Sequence, residues 1–207
     1  MNNIVFDELT HTYMRSRDGA KVVGVTSVLS AAGIIDNTWA HTDAMTRGSA
    51  VHRATELHDH GTLNEATLDP RIVPYLDAWK QFREETGFEP MEIERRIYHD
   101  GEFEYAGTLD RVGRFTRPPW TKIANGAIGL IDIKSGKMPK WAGLQTAPYA
   151  KAYERQTKTF IGWRACVELA SNGAAHFIKH SRDKEQDFQV FMSCRVVYEW
   201  RKLNNTL

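Results

Sequence analysis

Residues 127–134, AIGLIDIK, form the most apolar strand-like stretch of the chain. A continuous apolar run of this length is typical of a strand in the middle of a sheet. Side chains alternate along a strand, so Asp132 and Lys134 share one face while Ile131 and Ile133 take the other. An acid and a lysine at the polar end of a buried strand indicate either a metal site or a salt bridge at the rim of the sheet.

Patterns on both sides of this strand predict one α/β domain over residues 1–207. Its parts are an N-terminal β-hairpin and short helix at 1–33, a core at 40–180 and a C-terminal helix at 183–205. Within the core the patterns predict strands at 91–98, 103–114, 159–169 and 174–180, and helices at 43–58, 71–86 and 141–155. A loop is predicted between Pro118-Pro119 and Asn125-Gly126.

The composition limits the class of protein. Apolar residues make up 42% and charged residues 26% of the 207, which is typical of a globular chain rather than a disordered one. No apolar run approaches the roughly 20 residues of a membrane-spanning helix, and the first residues lack a signal-peptide pattern. We therefore expect no membrane association and a cytoplasmic location. Two cysteines, Cys166 and Cys194, are too few for a four-thiolate cluster.

A second acid, Asp110, follows Gly107 in the strand predicted at 103–114. If that strand lies beside the strand of Asp132, the two carboxylates converge and can share a cation. Hard oxygen ligands favour Mg²⁺ or Mn²⁺. Taken alone, Asp110 is equally consistent with a turn residue at a strand end.

Three further residues are candidate ligands at the same site. His52 and Glu56 lie four residues apart on a predicted helix and share one face, and an imidazole among oxygen ligands favours Mn²⁺ somewhat. Glu94 falls on the polar face of its predicted strand. The alternatives are a hydrogen-bonded helix histidine and carboxylates that face water.

Gln145 and Tyr149 lie four residues apart on the next predicted helix. We interpret them as side chains that reach back toward Asp132 and Lys134. The alternative is a surface glutamine beside a core tyrosine. Pro148 lies between them and is expected to shorten or kink the start of that helix.

Residues 134–164 carry seven basic residues and one acid, mixed with aromatic rings. Such a mixture is typical of a surface that binds nucleic-acid phosphates and stacks on bases, although a solvated basic helix is the alternative. The candidate DNA-binding residues are Lys137, Lys140, Trp141, Lys151 and Arg155. Gly136-Lys137 is followed by Met138 rather than Ser or Thr, so we expect no phosphate-binding loop and no nucleotide cofactor.

The order of these motifs resembles the RecB-like branch of the PD-(D/E)XK nuclease superfamily. The motifs are Gly48-x-x-x-His52-x-x-x-Glu56, Gly107-x-x-Asp110, Asp132-Ile133-Lys134 and Gln145-x-x-x-Tyr149. Near the N-terminus, Phe6-Asp7-x-x-x-His11-x-Tyr13 and Val25-Thr26-Ser27-Val28-Leu29 look like stand-alone members encoded by phages. The resemblance implies an α/β fold with a mixed sheet flanked by helices and an αβββαβ core.

The resemblance also implies metal-dependent hydrolysis of DNA phosphodiesters. The implied metal ligands are His52, Asp110, Asp132 and the backbone carbonyl of Ile133, with Glu56 and Glu94 as further candidates. The implied catalytic residues are Asp110, Asp132, Lys134, Gln145 and Tyr149, with Lys134 acting on the attacking water. Two cysteines cannot hold the four-cysteine iron–sulfur cluster that many relatives carry.

These features favour a small independent DNA exonuclease that uses Mg²⁺ or Mn²⁺. The expected setting is phage or bacterial recombination or replication in the cytoplasm of a bacterial host cell, with DNA and a phage recombination or replication protein as partners. One alternative is a structure-specific or restriction-type endonuclease. Another is a non-catalytic DNA- or protein-binding module on a nuclease fold.

Overall fold

Two β-sheets and five α-helices make up the computed structural model, which describes residues 4–36, 42–117, 123–124 and 126–207. Across the large sheet, the strand order is β4 (Phe88–His99), β5 (Tyr105–Phe115), β6 (Gly129–Lys134), β7 (Trp163–Leu169) and β8 (Ala175–Lys179). The small sheet contains β1 (Ile4–Asp7), β2 (Thr12–Arg15) and β3 (Lys21–Val22). The helices are α1 (Val25–Ala31), α2 (Thr42–Asp59), α3 (Val73–Thr86), α4 (Ala142–Thr157) and α5 (Lys184–Leu203). Of the predicted loop boundaries, Pro118-Pro119 and Asn125 lie outside the described residues.

The large sheet is mixed, with β6 at its centre as the apolar sequence predicts. β6 pairs antiparallel with β5 and parallel with β7, while β4 pairs with β5 and β7 with β8 in antiparallel fashion. A parallel pair needs a crossover connection, and α4 supplies it between β6 and β7. The predicted mixed sheet flanked by helices is therefore confirmed.

Each face of the large sheet is covered by its own helices. On one face, called the α2 face, α2 and α3 cover Ile131 and Ile133, with Trp79 in the same apolar core. On the opposite face, called the α4 face, α1, α4 and α5 cover Leu130, with Phe191 in the core. The alternation along β6 therefore leaves its polar side chains on the α4 face.

The N-terminal segment forms a three-stranded antiparallel sheet, which contains the predicted β-hairpin and one further strand. Its third strand is only two residues long, because Val25 begins α1 instead of extending the strand. Ile4 and Val22 pack against Tyr98 and Ala106, which fixes the small sheet against β4 and β5.

Helix ends follow local chemistry. The helix predicted at 71–86 begins at Val73, because Asp69 first caps a turn by accepting a hydrogen bond from the Arg71 N–H at 2.9 Å. It ends at Thr86, and Gly87 caps it with a φ of 62° that suits glycine. Pro148 does not shorten α4, which is unbroken. Within the described residues, every helix is too short or too polar to cross a membrane.

Candidate metal centre

Three potential metal ligands meet where α2 covers β4 and β5. His52 Nδ1 lies 3.5 Å from Glu94 Oε1 and 3.6 Å from Asp110 Oδ2. Ligand atoms of the three residues all lie within 4.8 Å of one another. One imidazole and two carboxylates fit a divalent cation such as Mg²⁺ or Mn²⁺.

Glu94 reaches this group through an unusual backbone conformation. Its φ is 44°, in the left-handed region that residues with side chains rarely adopt, and the pairing of β4 with β5 shifts register between Pro90 and Glu92. Such a conformation costs about 1–3 kcal/mol and is found where the surroundings fix it, often at functional sites. The strain therefore favours a functional role for Glu94 over that of a surface glutamate.

Asp110 lies where β5 departs from regular alternation. Leu109 and Val112 are three positions apart, yet both pack in the core of the α4 face. Backbone pairing between β5 and β6 covers residues 111–113 of β5 and does not extend to Asp110. Asp110 Oδ2 accepts a hydrogen bond from the Ile133 N–H at 2.6 Å. A side-chain oxygen therefore takes the place of a backbone carbonyl as the acceptor between the two strands.

The polar end of β6 contacts α4. Lys134 Nζ lies 2.7 Å from Asp132 Oδ2 and donates a hydrogen bond to Gln145 Oε1 at 3.1 Å. Gln145 Nε2 in turn donates to the Tyr149 hydroxyl at 3.4 Å. A side chain at Gly107 would overlap the Tyr149 ring, so this glycine allows the helix to approach. The structure thus joins Asp132, Lys134, Gln145 and Tyr149 in one chain of contacts.

Charge balances charge at this centre. Burial lowers the pKa of His52, but the Asp110 and Glu94 carboxylates outweigh burial and raise it to about 9. Burial raises the pKa of Asp110, opposed by His52, and that of Asp132, opposed by Lys134. Because a cation binds the neutral imidazole, its binding would release a proton from His52.

Glu56 lies apart from this ligand group, whereas the Ile133 carbonyl stays a predicted ligand. Glu56 pairs with Arg53 at 2.8 Å on the helix surface, and its carboxylate is outside the ligand group found among the described residues. The N–H of Ile133 donates a hydrogen bond to Asp110, and this contact does not test the predicted role of its carbonyl. The spacing of His52 and Glu56 placed them on one helix, but a four-residue spacing does not fix where a long side chain ends.

Part of the predicted basic and aromatic segment lies inside the fold. Tyr149, Tyr153 and Trp163 are buried, and buried Arg164 pairs with Asp187 at 2.8 Å. These rings and this charge are therefore not presented to a ligand at the surface. The charge count over 134–164 predicted a more continuous basic surface than the structure has.

The five candidate DNA-binding residues divide into two groups. Lys151 pairs with Glu185, and Arg155 pairs with Asp100. The other three, Lys137, Lys140 and Trp141, lie between β6 and the start of α4. Both lysines are exposed, and the Trp141 ring is 5.5 Å from Lys134 Nζ. The second group is closer in sequence to Lys134, and both of its lysines are exposed.

Two groups beside the centre were not predicted from the sequence. Arg111 is fully buried and donates a hydrogen bond to Glu94 Oε1 at 3.1 Å. Cys166 Sγ lies 3.5 Å from Asp132 Oδ2 and 3.8 Å from His180 Nε2. The sequence contains a signal for Arg111, because this arginine directly follows the candidate ligand Asp110 in an apolar strand. The contact between Cys166 and Asp132 depends on the parallel register of β6 and β7, which cannot be read from the spacing of residues in the sequence.

Comparison with known proteins bears on the fold. No family model matches the chain, and no curated protein matches it. Among solved structures, the chain is similar to a protein from Eubacterium rectale described as a candidate exonuclease. The identity is 10% and the TM-score 0.50, and the match covers 87% of this chain and 74% of that one. This likeness supports a nuclease-like α/β fold and, at such low identity, assigns no activity.

Proposed function

We propose that this chain is a divalent-metal-dependent DNA nuclease of the RecB-like branch of the PD-(D/E)XK superfamily. The observation that carries the proposal is the junction of two groups at the end of β6: His52, Glu94 and Asp110 on one side, and the Asp132–Lys134 pair on the other. The order of the sequence motifs and the likeness to a candidate exonuclease support it.

The residues present fit a catalytic centre of this kind. The cation would be held by His52, Glu94, Asp110 and Asp132, with the Ile133 carbonyl as a further ligand. When bound, it neutralises charge on the phosphodiester and lowers the pKa of the attacking water. Lys134, whose ammonium group contacts Asp132 and Gln145, would act on that water and on the phosphate. Tyr149 supports Gln145 from the next turn of α4.

Within this class we favour an exonuclease of phage or bacterial recombination or replication, acting in the cytoplasm on DNA. Support comes from the N-terminal motif that looks like stand-alone phage members. The proposed partner protein is one of recombination or replication. A non-catalytic binding module is less favoured, because binding alone needs neither a strained Glu94 nor a partly buried lysine paired with Asp132.

End-labelled linear DNA and covalently closed circular DNA, each with Mg²⁺, Mn²⁺ or EDTA, test the proposal. We expect loss of label from linear DNA with either cation, intact circles, and no reaction in EDTA. Cutting of closed circles would identify an endonuclease instead. DNA binding without cleavage in either cation would identify a binding module.

Two variants control for contaminating nucleases. Asp132→Asn keeps the shape of the side chain and removes a charge from the centre, so we expect no cleavage. Asp69→Asn changes an exposed acid that pairs with Arg71 outside the centre, so cleavage should persist. Equal activity in both variants would show that the cleavage does not come from this site.

A further inference from the structure

Arg111 is a fully buried charge next to the proposed metal centre, with a side chain that is 0% exposed. A guanidinium keeps its proton in proteins, so in such a position its N–H groups need acceptors. The acceptors are Asp59 Oδ2 at 2.6 Å, the Asp110 carbonyl at 2.7 Å, Glu94 Oε1 at 3.1 Å and Thr55 Oγ1 at 3.2 Å. One side chain thus connects α2, β4 and β5.

Asp59 fixes one end of this guanidinium. Its buried carboxylate also accepts hydrogen bonds from Trp79 Nε1 at 3.0 Å and Arg83 Nη1 at 2.5 Å. The guanidinium carbon of Arg111 lies 5.6 Å from the centre of the Trp79 ring. Because these partners belong to two helices, the guanidinium cannot shift without disturbing both α2 and α3.

Glu94 takes the other end. The oxygen that accepts the hydrogen bond from Arg111 is the same Oε1 that lies 3.5 Å from His52 Nδ1. The backbone of Glu94 is in the left-handed region and needs outside contacts to stay there. A fixed positive group 3.1 Å from its carboxylate is such a contact.

We propose that Arg111 is a positioning residue for the metal centre, which holds the Glu94 carboxylate in its ligating position before a cation binds. The inference rests on the proposed metal site and does not require that the chain cleaves DNA. A carboxylate already in place loses no freedom when the cation binds, so affinity should depend on Arg111. Lysine cannot substitute, because its single ammonium does not reproduce the planar fork that reaches Asp59, Glu94 and Thr55 together.

Calorimetric titration of metal-stripped protein with Mn²⁺ tests the proposal through Arg111→Lys, with Arg83→Met as the matched control. Both variants remove a partner of Asp59, but only Arg111 touches Glu94. We expect both to lower the melting temperature. We expect Arg111→Lys to bind Mn²⁺ about 10–100-fold more weakly, as for other groups that orient metal ligands, and Arg83→Met to bind as the unsubstituted protein does. Unchanged affinity in folded Arg111→Lys, or an equal loss in both variants, would overturn the inference.

A double-mutant cycle with Glu94→Gln tests whether Arg111 acts through Glu94. We expect the double variant to bind Mn²⁺ as weakly as Glu94→Gln alone, and additive losses would contradict the proposal. If Arg111→Lys does not fold, Thr55→Val removes one acceptor of Arg111 without changing a charge. It should then weaken Mn²⁺ binding to a lesser degree, and unchanged affinity would overturn the inference.

The outcomes separate this inference from the proposed function. If the variants show the predicted order of Mn²⁺ affinities but the protein cuts no DNA, the proposed nuclease activity is wrong and the role of Arg111 is supported. A protein that cuts DNA with Mn²⁺ affinity independent of Arg111 would do the reverse.

Discussion

Each face of the large sheet buries an arginine, and the two have different neighbours. On the α2 face, Arg111 donates a hydrogen bond to Glu94 of the proposed metal centre. On the α4 face, Arg164 donates to the Gly143 carbonyl at 2.7 Å and to Asp187 Oδ2 at 2.8 Å, and so ties α4 to α5. Both charges are buried, so burial alone does not distinguish a residue of the site from one that only holds helices together.

The two faces meet at the end of β6. Asp132 and Lys134 face α4, whereas Asp110 lies beside His52 of α2 and reaches β6 through the Ile133 N–H. Repulsion from Asp110 also contributes to the raised pKa of Asp132, after the larger effects of burial and Lys134. We therefore expect one centre built from both faces.

The largest expected effect is on hydrolysis. If both faces contribute to one centre, Asp110→Asn and Asp132→Asn should each slow DNA cleavage about a thousandfold or more, since a bound cation supplies several kcal/mol of transition-state stabilisation. Single-turnover rates at saturating Mg²⁺ measure this. Normal cleavage by Asp110→Asn alone would confine the centre to the α4 face.

The second expected effect is on stability, on the α4 face. Arg164→Met leaves Asp187 without its main partner, and breaking a buried pair costs about 3–5 kcal/mol. We expect the lower end of that range, because Arg182 stays 3.3 Å from Asp187. Urea denaturation gives the free energy of unfolding, and Mn²⁺ titration should show unchanged affinity. Weaker Mn²⁺ binding in this variant would remove the distinction between the two arginines.

The third expected effect is a contrast in pH dependence between two histidines in EDTA. On the α4 face, burial and then Arg164 lower the pKa of His180 to about 4. Its stabilisation is present above the unfolded value near 6.5 and is lost as pH falls toward 4. For His52, raised to about 9, stabilisation is present below 6.5 and is lost as pH rises through 9.

Unfolding free energies measured from pH 4 to pH 9 separate the two histidines. His180→Gln should flatten the acidic side of the profile, and His52→Gln the alkaline side. If both substitutions changed the same side of the pH profile, the predicted contrast between the two histidines would be wrong.

The smallest expected effect concerns the proposed path of DNA near the α4 face. Lys137 and Lys140 are exposed, whereas Lys151 and Arg155 pair with acids. On an Asp132→Asn background in Ca²⁺, Lys137→Ala and Lys140→Ala should each reduce the salt dependence of DNA affinity by about one phosphate contact. Lys151→Ala is the control and should reduce it less. A larger effect of Lys151→Ala would place the DNA along α4 itself.

The sequence predicted the centre of the sheet because a strand covered on both faces must be apolar, as in β6. It predicted Asp132 and Lys134 on one face because alternation holds in that strand. Alternation breaks down at Asp110, and Glu94 has a left-handed backbone, so periodicity could not show that these residues meet.

The basic segment was harder to predict for a different reason. The acids that pair with Lys151 and Arg155 are Glu185 and Asp100, which lie far away in the sequence. A local charge count cannot include partners that only folding brings near. The position of Arg111 is similar, because its acceptors outside its own strand come from two separate elements, α2 and β4.

The hydrogen bond from the Ile133 N–H to Asp110 gives the protein a built-in spectroscopic reporter. The resonance of that amide proton and its rate of exchange with solvent should change when the Asp110 carboxylate gains a proton or binds a cation. Asparagine at position 110 can keep an oxygen acceptor for the amide. Alanine would leave a buried donor without a partner, at a cost of about 1–3 kcal/mol. Asp110→Ala would therefore impair folding as well as chemistry, whereas the Ile133 amide lets NMR follow the centre in the unsubstituted protein.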